Sequence, residues 1–217
     1  MLYNFMSRDH AIKNITQKRL KISRIAELND PYELLPIASA DPELIAAVER
    51  TKADLNRAKG MLCFSELWGD PVMWSHYANS HRGMALGFVR NGEAPTPVTY
   101  SPDLLPEDWF LGLLDLPDGP EKDAGVLKWL TSKYELWRYE NESRVFLDLD
   151  DPDSLEPNLY FSYFGPGTID LREVIIGVRC DTTVPQVEDI LATNGYTSVK
   201  VIKAQLSSTK YEVVAAR

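Results

Sequence analysis

Apolar positions open the chain at Leu2 to Met6, a run of strand length, and Ser7 and Asp9 behind it can cap a helix over about 9–18. Ala11, Ile12, Ile15 and Leu20 give that helix an apolar stripe, and Leu20 to Ile25 reads as a second strand. Asn29-Asp30-Pro31 is a helix-start signal, because Asp accepts bonds from orphan amides and Pro at the first helical position loses nothing. A short helix is expected to follow. The same punctuation recurs at Asp41-Pro42 and Asp70-Pro71. From Pro42 to Lys59, Leu44, Ile45, Val48, Leu55 and Ala58 fall on one side of a helix, and Gly60 is placed as its left-handed C-cap.

Met61 to Ser65 is a continuous apolar run of strand length, a helix is expected over about 71–80, and Met84 to Val89 reads as another strand. From Arg90 to Gly125 the pattern breaks down around six prolines, which suits a strand near Val98 to Tyr100 followed by loop or short helices, an insertion or a lid. Helical period returns from Gly125 to Trp137. Strands are expected at 142–149, 159–164 and 173–180, then a helix near 184–193 and a closing strand pair at 198–206 and 210–215. Strands separated irregularly by helices predict one α+β domain over 1–217, with a mixed, mostly antiparallel sheet flanked by helices.

Composition narrows the classes. At 217 residues and 44% hydrophobic the chain can bury a core without metals or disulfides. Cys63 and Cys180 lie apart, outside any zinc-ligand spacing, and read as buried thiols of a reducing compartment. No stretch approaches the roughly 18 apolar residues of a membrane span, so a soluble, cytoplasmic protein is expected. A net charge of −9 argues against a large footprint on duplex nucleic acid, although Lys13, Lys18, Arg19, Lys21 and Arg24 give the start a basic bias. A solvated helix face explains that bias equally well.

Two clusters carry candidate chemistry. The first, Met73-Trp74-Ser75-His76-Tyr77-Ala78-Asn79-Ser80-His81-Arg82-Gly83, concentrates polar-tipped rings on one expected helix. His76 and His81 are five apart, which on a helix leaves about 140° between their side chains and disfavours a metal pair. Core packing of Trp74 and Tyr77 is the plain alternative. The second cluster runs from Trp137 to Leu147. On a strand, Glu140, Glu142 and Arg144 share one face by their period of two, and such a face is costly to bury unless its charges are paired. An exposed ion-pair ladder is the plain alternative there. Nucleophile-elbow, Walker A and dinucleotide fingerprints are absent from the sequence.

The Leu-Tyr-Asn-Phe opening, Asn29-Asp30-Pro31-Tyr32-Glu33, Cys63-Phe64-Ser65, Met73-Trp74-Ser75-His76-Tyr77-Ala78, His81-Arg82-Gly83 and Tyr139-Glu140-x-Glu142-x-Arg144 together resemble the bacterial domain-of-unknown-function family 2971, in order over most of the chain. More distantly, the succession of strands, aromatic helix and late Glu-x-Glu resembles the ADP-ribosyltransferase superfamily. That likeness implies a split sheet with NAD as co-substrate, no metal, and ADP-ribosyl transfer or NAD hydrolysis, as in bacterial defence, with a protein or nucleic-acid acceptor. Carried over, Glu142 matches the catalytic glutamate and Glu140 the preceding carboxylate, Ser65 the strand serine, and Tyr77 or Trp74 the nicotinamide platform. Tyr3, His76, His81, Arg82 and Arg144 complete the expected binding set. The first strand offers Tyr3 where the superfamily has His or Arg, which leaves Arg82 or Arg144 to supply the cation. A carboxylate on the ribose hydroxyl would stabilise positive charge developing at the transition state. The alternative is a non-enzymatic module that binds a nucleotide or a protein.

Overall fold

The computed structural model describes every residue except 93, 150–152, 154, 155, 157, 166 and 217. Strand β1 (Leu2–Met6) leads into helix α1 (Arg8–Gln17), whose Ser7 cap accepts from the His10 amide at 3.3 Å. Strand β2 (Arg19–Arg24) follows. The helix expected after Asn29-Asp30-Pro31 is absent. Asp30 Oδ1 accepts from the Tyr32 amide at 2.9 Å, and the chain turns over at Leu34, whose φ is +58°. The local bond that could start a helix closes a tight turn instead.

Helix α2 (Pro42–Ala58) starts at Asp41 as its pattern predicts, with Asp41 Oδ1 accepting from the Glu43 amide. Its end differs from the expected one, because Gly60 is not a left-handed cap. The chain leaves the helix extended at Lys59 and enters strand β3 (Lys59–Ser65). Gly60 is required there for space: a Cβ would sit 2.5 Å from Ile22 Cγ2 and 2.9 Å from Leu149 Cδ2.

Helix α3 (Pro71–Tyr77) stops about three residues short of the expected 80, because Asn79, Ser80 and His81 all take positive φ. The His81 amide donates back to the Trp74 carbonyl at 3.0 Å, and strand β4 (Met84–Arg90) begins. The proline-rich stretch after it holds a short strand and then helices, as one of the expected readings has it, residue 93 lying outside the described residues. Short strand β5 (Thr99–Ser101) is followed by helix α4 (Glu107–Asp115) and helix α5 (Pro120–Leu130). The helix expected over 125–137 therefore begins and ends earlier. After it come strand β6 (Ser132–Tyr134) and a 3₁₀ turn over Glu135–Glu140.

Strands β7 (Glu142–Asp148), β8 (Tyr160–Tyr163) and β9 (Ile169–Ile176), helix α6 (Val184–Thr193), and strands β10 (Lys200–Leu206) and β11 (Val213–Ala215) complete the chain near their expected places. The architecture is α+β, with a mixed, mostly antiparallel sheet flanked by helices.

The described residues form two compact units, residues 1–21, 64–94 and 161–217 in the first and 22–63 and 95–160 in the second. In the first unit β1 lies antiparallel between β3, through Tyr3 opposite Ser65, and β4. Strand β9 continues antiparallel to β4, β10 runs parallel to β9, and β11 closes antiparallel on β10. Its core gathers Trp74, Ala78, Ala85, Ile175, Ala204 and Val213. In the second unit β7 pairs with β3 and with residues 96–97, and β5 runs parallel to β6. Val48, Phe110, Leu113 and Trp129 form one core there, and Ile25, Leu34 and Met61 another.

The basic residues at the start do not form one cationic face. Arg19 is buried with its guanidinium 3.5 Å over the Phe161 ring, and Lys18 reaches over Tyr196. No helix among the described residues is long and apolar enough to cross a membrane.

Candidate functional site

The second constellation lies in the second unit, assembled differently from the expected strand face. Glu140 belongs to the 3₁₀ turn, and Asn141, in a left-handed conformation at φ +43°, swings the chain into β7 at Glu142. Glu140, Glu142 and Arg144 nevertheless converge, because Lys133 on β6 stands among them. Lys133 Nζ donates to Glu142 Oε2 at 2.9 Å and to Glu140 Oε2, and lies 3.9 Å from Glu33 Oε2 and 5.2 Å from the centre of the Trp137 ring.

Arg144 clasps Glu142 with two bonds, Nε to Oε1 at 2.9 Å and Nη2 to Oε2 at 3.1 Å, and donates through Nη1 to the Leu130 carbonyl at 2.8 Å. The same Nη1 lies 2.6 Å from Glu33 Oε1, a close ionic contact without hydrogen-bond geometry. The side chains of these five residues are 0–6% exposed. Three carboxylates thus meet two cations out of water, an arrangement that holds only when every charge has a partner.

Burial alone would raise the Glu142 carboxyl, but Arg144 and then Lys133 overcome it and hold it down at about 2. Burial would lower Lys133 and Arg144, and the carboxylates around them raise both instead. The Cys63 thiol is pushed well up, first by burial and then by Glu142. Tyr100, whose hydroxyl accepts from the Glu142 amide at 2.8 Å, is pushed up to about 12, mainly by burial. The Cys63 thiol is therefore neutral near pH 7, and no reactive thiolate is present there.

The first constellation lies in the first unit and divides. Trp74 is fully buried, its ring edge-on to Phe5 and its indole N–H donating to the Trp68 carbonyl at 2.6 Å. No face of that ring is open to a ligand. His81, carried off the helix by the left-handed residues, stacks on Trp74 at 6.3 Å and places Nε2 3.2 Å from Ser75 Oγ. The five-residue helical spacing with His76 therefore does not apply. Burial first and Arg179 second lower the His81 imidazole, keeping it neutral. His76 and Arg82 are exposed, and Tyr77 is half-buried against His76.

Tyr3 and Ser65 stand opposite each other on β1 and β3 in the same unit. The Tyr3 ring crosses β4 at Gly87 to donate its hydroxyl to Glu173 Oε2 on β9 at 2.8 Å. A Cβ at Gly87 would lie 2.9 Å from the Tyr3 ring, so only glycine lets it pass. A bulge between Leu171 and Glu173 re-aims the β9 side chain at this point. Burial and the Glu173 partner both raise the Tyr3 hydroxyl.

Tyr3 also lines a groove of about 340 Å³ with Glu66 to Gly69 and with Glu212 to Ala215. Its walls are tied together. Ser65 Oγ donates to the Leu67 carbonyl at 2.8 Å, and the Val213 amide donates to the Gly69 carbonyl at 2.8 Å.

Sequence reasoning missed Lys133, Glu173, Trp68 and Glu212. Glu33 had a signal, since it closes the Asn29 to Glu33 motif, while Lys133 is a single lysine after a helix with nothing to mark it. Compared with family models, curated proteins and solved structures, the chain matches none.

Proposed function

We propose that the protein is a binding module whose ligand-taking surface is the groove lined by Tyr3, Trp68 and Glu212. The observation that carries this reading is the saturation of Glu142. Its two oxygens already accept from Arg144 and Lys133, and the residue is 7% exposed. A carboxylate stabilising a ribosyl cation must offer its lone pairs to substrate, and exchanging two buried charge partners for a hydroxyl is strongly unfavourable. The groove has the opposite character: the exposed residues Glu66 and Glu212 beside buried Tyr3 and half-buried Trp68, on backbone fixed by hydrogen bonds, in a volume suited to a small ligand or a side chain.

The resemblance to ADP-ribosyltransferases supports a second reading, NAD-dependent ADP-ribosyl transfer or NAD hydrolysis on an ADP-ribosyltransferase-like split sheet. One observation favours it: Tyr3 on the first strand stands opposite Ser65 on the neighbouring strand, two of the residues to which that likeness gives NAD binding. In that reaction the bond between nicotinamide and ribose breaks, nicotinamide leaves with the electron pair, and water or an acceptor adds to the ribose.

Incubation with NAD and detection of released nicotinamide separates the two. The binding-module reading expects no release from the native protein or from Glu142→Gln. Release that Glu142→Gln abolishes overturns it in favour of the second.

A further inference from the structure

We propose that the groove takes an extended peptide segment of a partner protein, added as a strand to the outer edge of β11; this rests on the binding-module reading above and names its partner. The ladder between β10 and β11 fixes which backbone groups face that edge. Leu206, Gln205 and Ala204 stand opposite Val213, Val214 and Ala215. The Ser207 amide donates to the Glu212 carbonyl at 2.9 Å, and the Ala216 amide to the Lys203 carbonyl at 2.7 Å. Antiparallel pairing alternates bonded and non-bonded positions, so residues 212, 214 and 216 turn their amides and carbonyls toward β10. Those of Val213 and Ala215 turn the other way. The Val213 amide accordingly donates across the outer edge to the Gly69 carbonyl at 2.8 Å. Two residues on, the outward amide and carbonyl of exposed Ala215 have no hydrogen-bond partner among the described residues.

The groove gives an added strand a place to lie. Residues 212–215 form one side and residues 66–69 the other, with Tyr3 between them, around about 340 Å³. The two sides meet at Gly69, where a Cβ would lie 3.2 Å from the Val213 carbonyl, and Ala215 lines the groove beyond that contact. The loop side is held by its own bonds. The Trp68 carbonyl accepts the indole N–H of buried Trp74 at 2.6 Å, Ser65 Oγ bonds to both the amide and the carbonyl of Leu67, and Asp70 Oδ1 caps α3 through the Val72 amide at 2.7 Å. A peptide entering there spends little on ordering the walls. Natural sheets blunt a free edge with charge, proline or a bulge, and Val213-Val214-Ala215-Ala216 carries neither charge nor proline. Main-chain bonds supply the affinity of such pairing, so backbone shape is read before side-chain identity. A groove walled on both sides suits one extended segment and not the edge of another folded sheet, which disfavours a second copy of the chain as the occupant.

The test is a titration of the isotope-labelled full chain with the blocked peptide acetyl-Thr-Val-Thr-Val-Thr-amide, taken to about 10 mM and read at the Ala215 amide by chemical shift and hydrogen exchange. In the unbound chain Ala215 should exchange faster than Val214 and Ala216, whose amides face β10, and the peptide should slow it about tenfold. The same peptide methylated at every amide nitrogen keeps its side chains but has no main-chain donor, and should bind about tenfold more weakly or not at all. Ala215→Pro removes only an outward amide and should fold as the native chain does while weakening the peptide about tenfold. Val214→Pro removes a ladder bond instead and should lower the unfolding midpoint. No response to the peptide, equal binding of its methylated form, unchanged affinity in Ala215→Pro, or shifts confined to residues away from 66–69 and 212–216 would each overturn the inference. Dimerisation that protects Ala215 without peptide would also overturn it and assign the edge to a second copy. Nicotinamide release from NAD would instead sink the binding-module reading, independently of these titrations.

Discussion

The cluster around Lys133 and the groove lined by Tyr3 use similar groups to opposite ends. Each sets carboxylates beside aromatic rings: Glu33, Glu140 and Glu142 with Trp137 and Tyr100 in one, Glu66 and Glu212 with Tyr3 and Trp68 in the other. In the cluster the chain supplies its own cations, and water is excluded. In the groove the carboxylates stand exposed at the rim of a concavity that no Lys or Arg lines among the described residues. Burial is what separates the two, because a desolvated carboxylate must carry its charge partner within the fold, whereas an exposed one is not obliged to.

The largest effect should come from removing a cation from the cluster. Arg144→Met leaves Glu142 and Glu33 facing Lys133 alone in a dry interior and should cost about 3–5 kcal/mol in urea unfolding. Pairing it with Glu142→Leu should restore part of that loss, since it removes one of the two carboxylates that Arg144 serves and leaves, of those two, only Glu33, 3.9 Å from Lys133. A loss under about 1 kcal/mol for Arg144→Met would mean that water reaches the cluster and that the contrast with the groove is false.

Acid should come next. Glu142 is held at about 2 in the folded protein against an ordinary 4.5, so between those values the unfolded chain binds the extra proton. The stability that this carboxylate contributes is present above about pH 4.5 and is lost as pH falls toward 2, an effect on the order of 3 kcal/mol. Urea midpoints measured from pH 5 down to about 2 should decline, and less steeply in Glu142→Gln. Parallel slopes in the two proteins would assign the acid sensitivity to other carboxylates.

The floor of the groove should respond more modestly. Gly87→Ala puts a methyl 2.9 Å from the Tyr3 ring and should cost about 1–3 kcal/mol, relieved in a Tyr3→Leu background. Tyr3→Phe removes only the bond to Glu173 and should cost about 1 kcal/mol. The rim should respond least, with Glu212→Gln changing stability by under about 0.5 kcal/mol. A rim substitution as damaging as one at Arg144 would make the groove a structural element.

Much of the secondary structure was legible because its signals are local. Asp41-Pro42 and Asp70-Pro71 start α2 and α3 where the caps predict, and α6 spans its expected 184–193. Asp30-Pro31 shows the limit of such signals, since the same residues close a turn there. The end of α3 was hidden as well: nothing in Asn79-Ser80-His81 announces three consecutive left-handed residues, and His81 consequently lies back on Trp74. In the candidate site, Glu140, Glu142 and Arg144 were expected together and are together. The strand periodicity that suggested it is not the cause, because Glu140 precedes β7 and its partner is Lys133.

The chain by itself determined its α+β class and most element positions, because capping and periodicity act over a few residues, whereas the burial that obliges Glu140, Glu142 and Arg144 to be paired is tertiary. Only the tertiary structure decided which partners they have, that Trp74 is core, and that Tyr3, Trp68 and Glu212 share a groove. Glu33 is far in sequence from Lys133 and Arg144, as Tyr3 is from Glu173, and spacing along a chain carries no record of which distant segments the sheet and its turns will bring side by side.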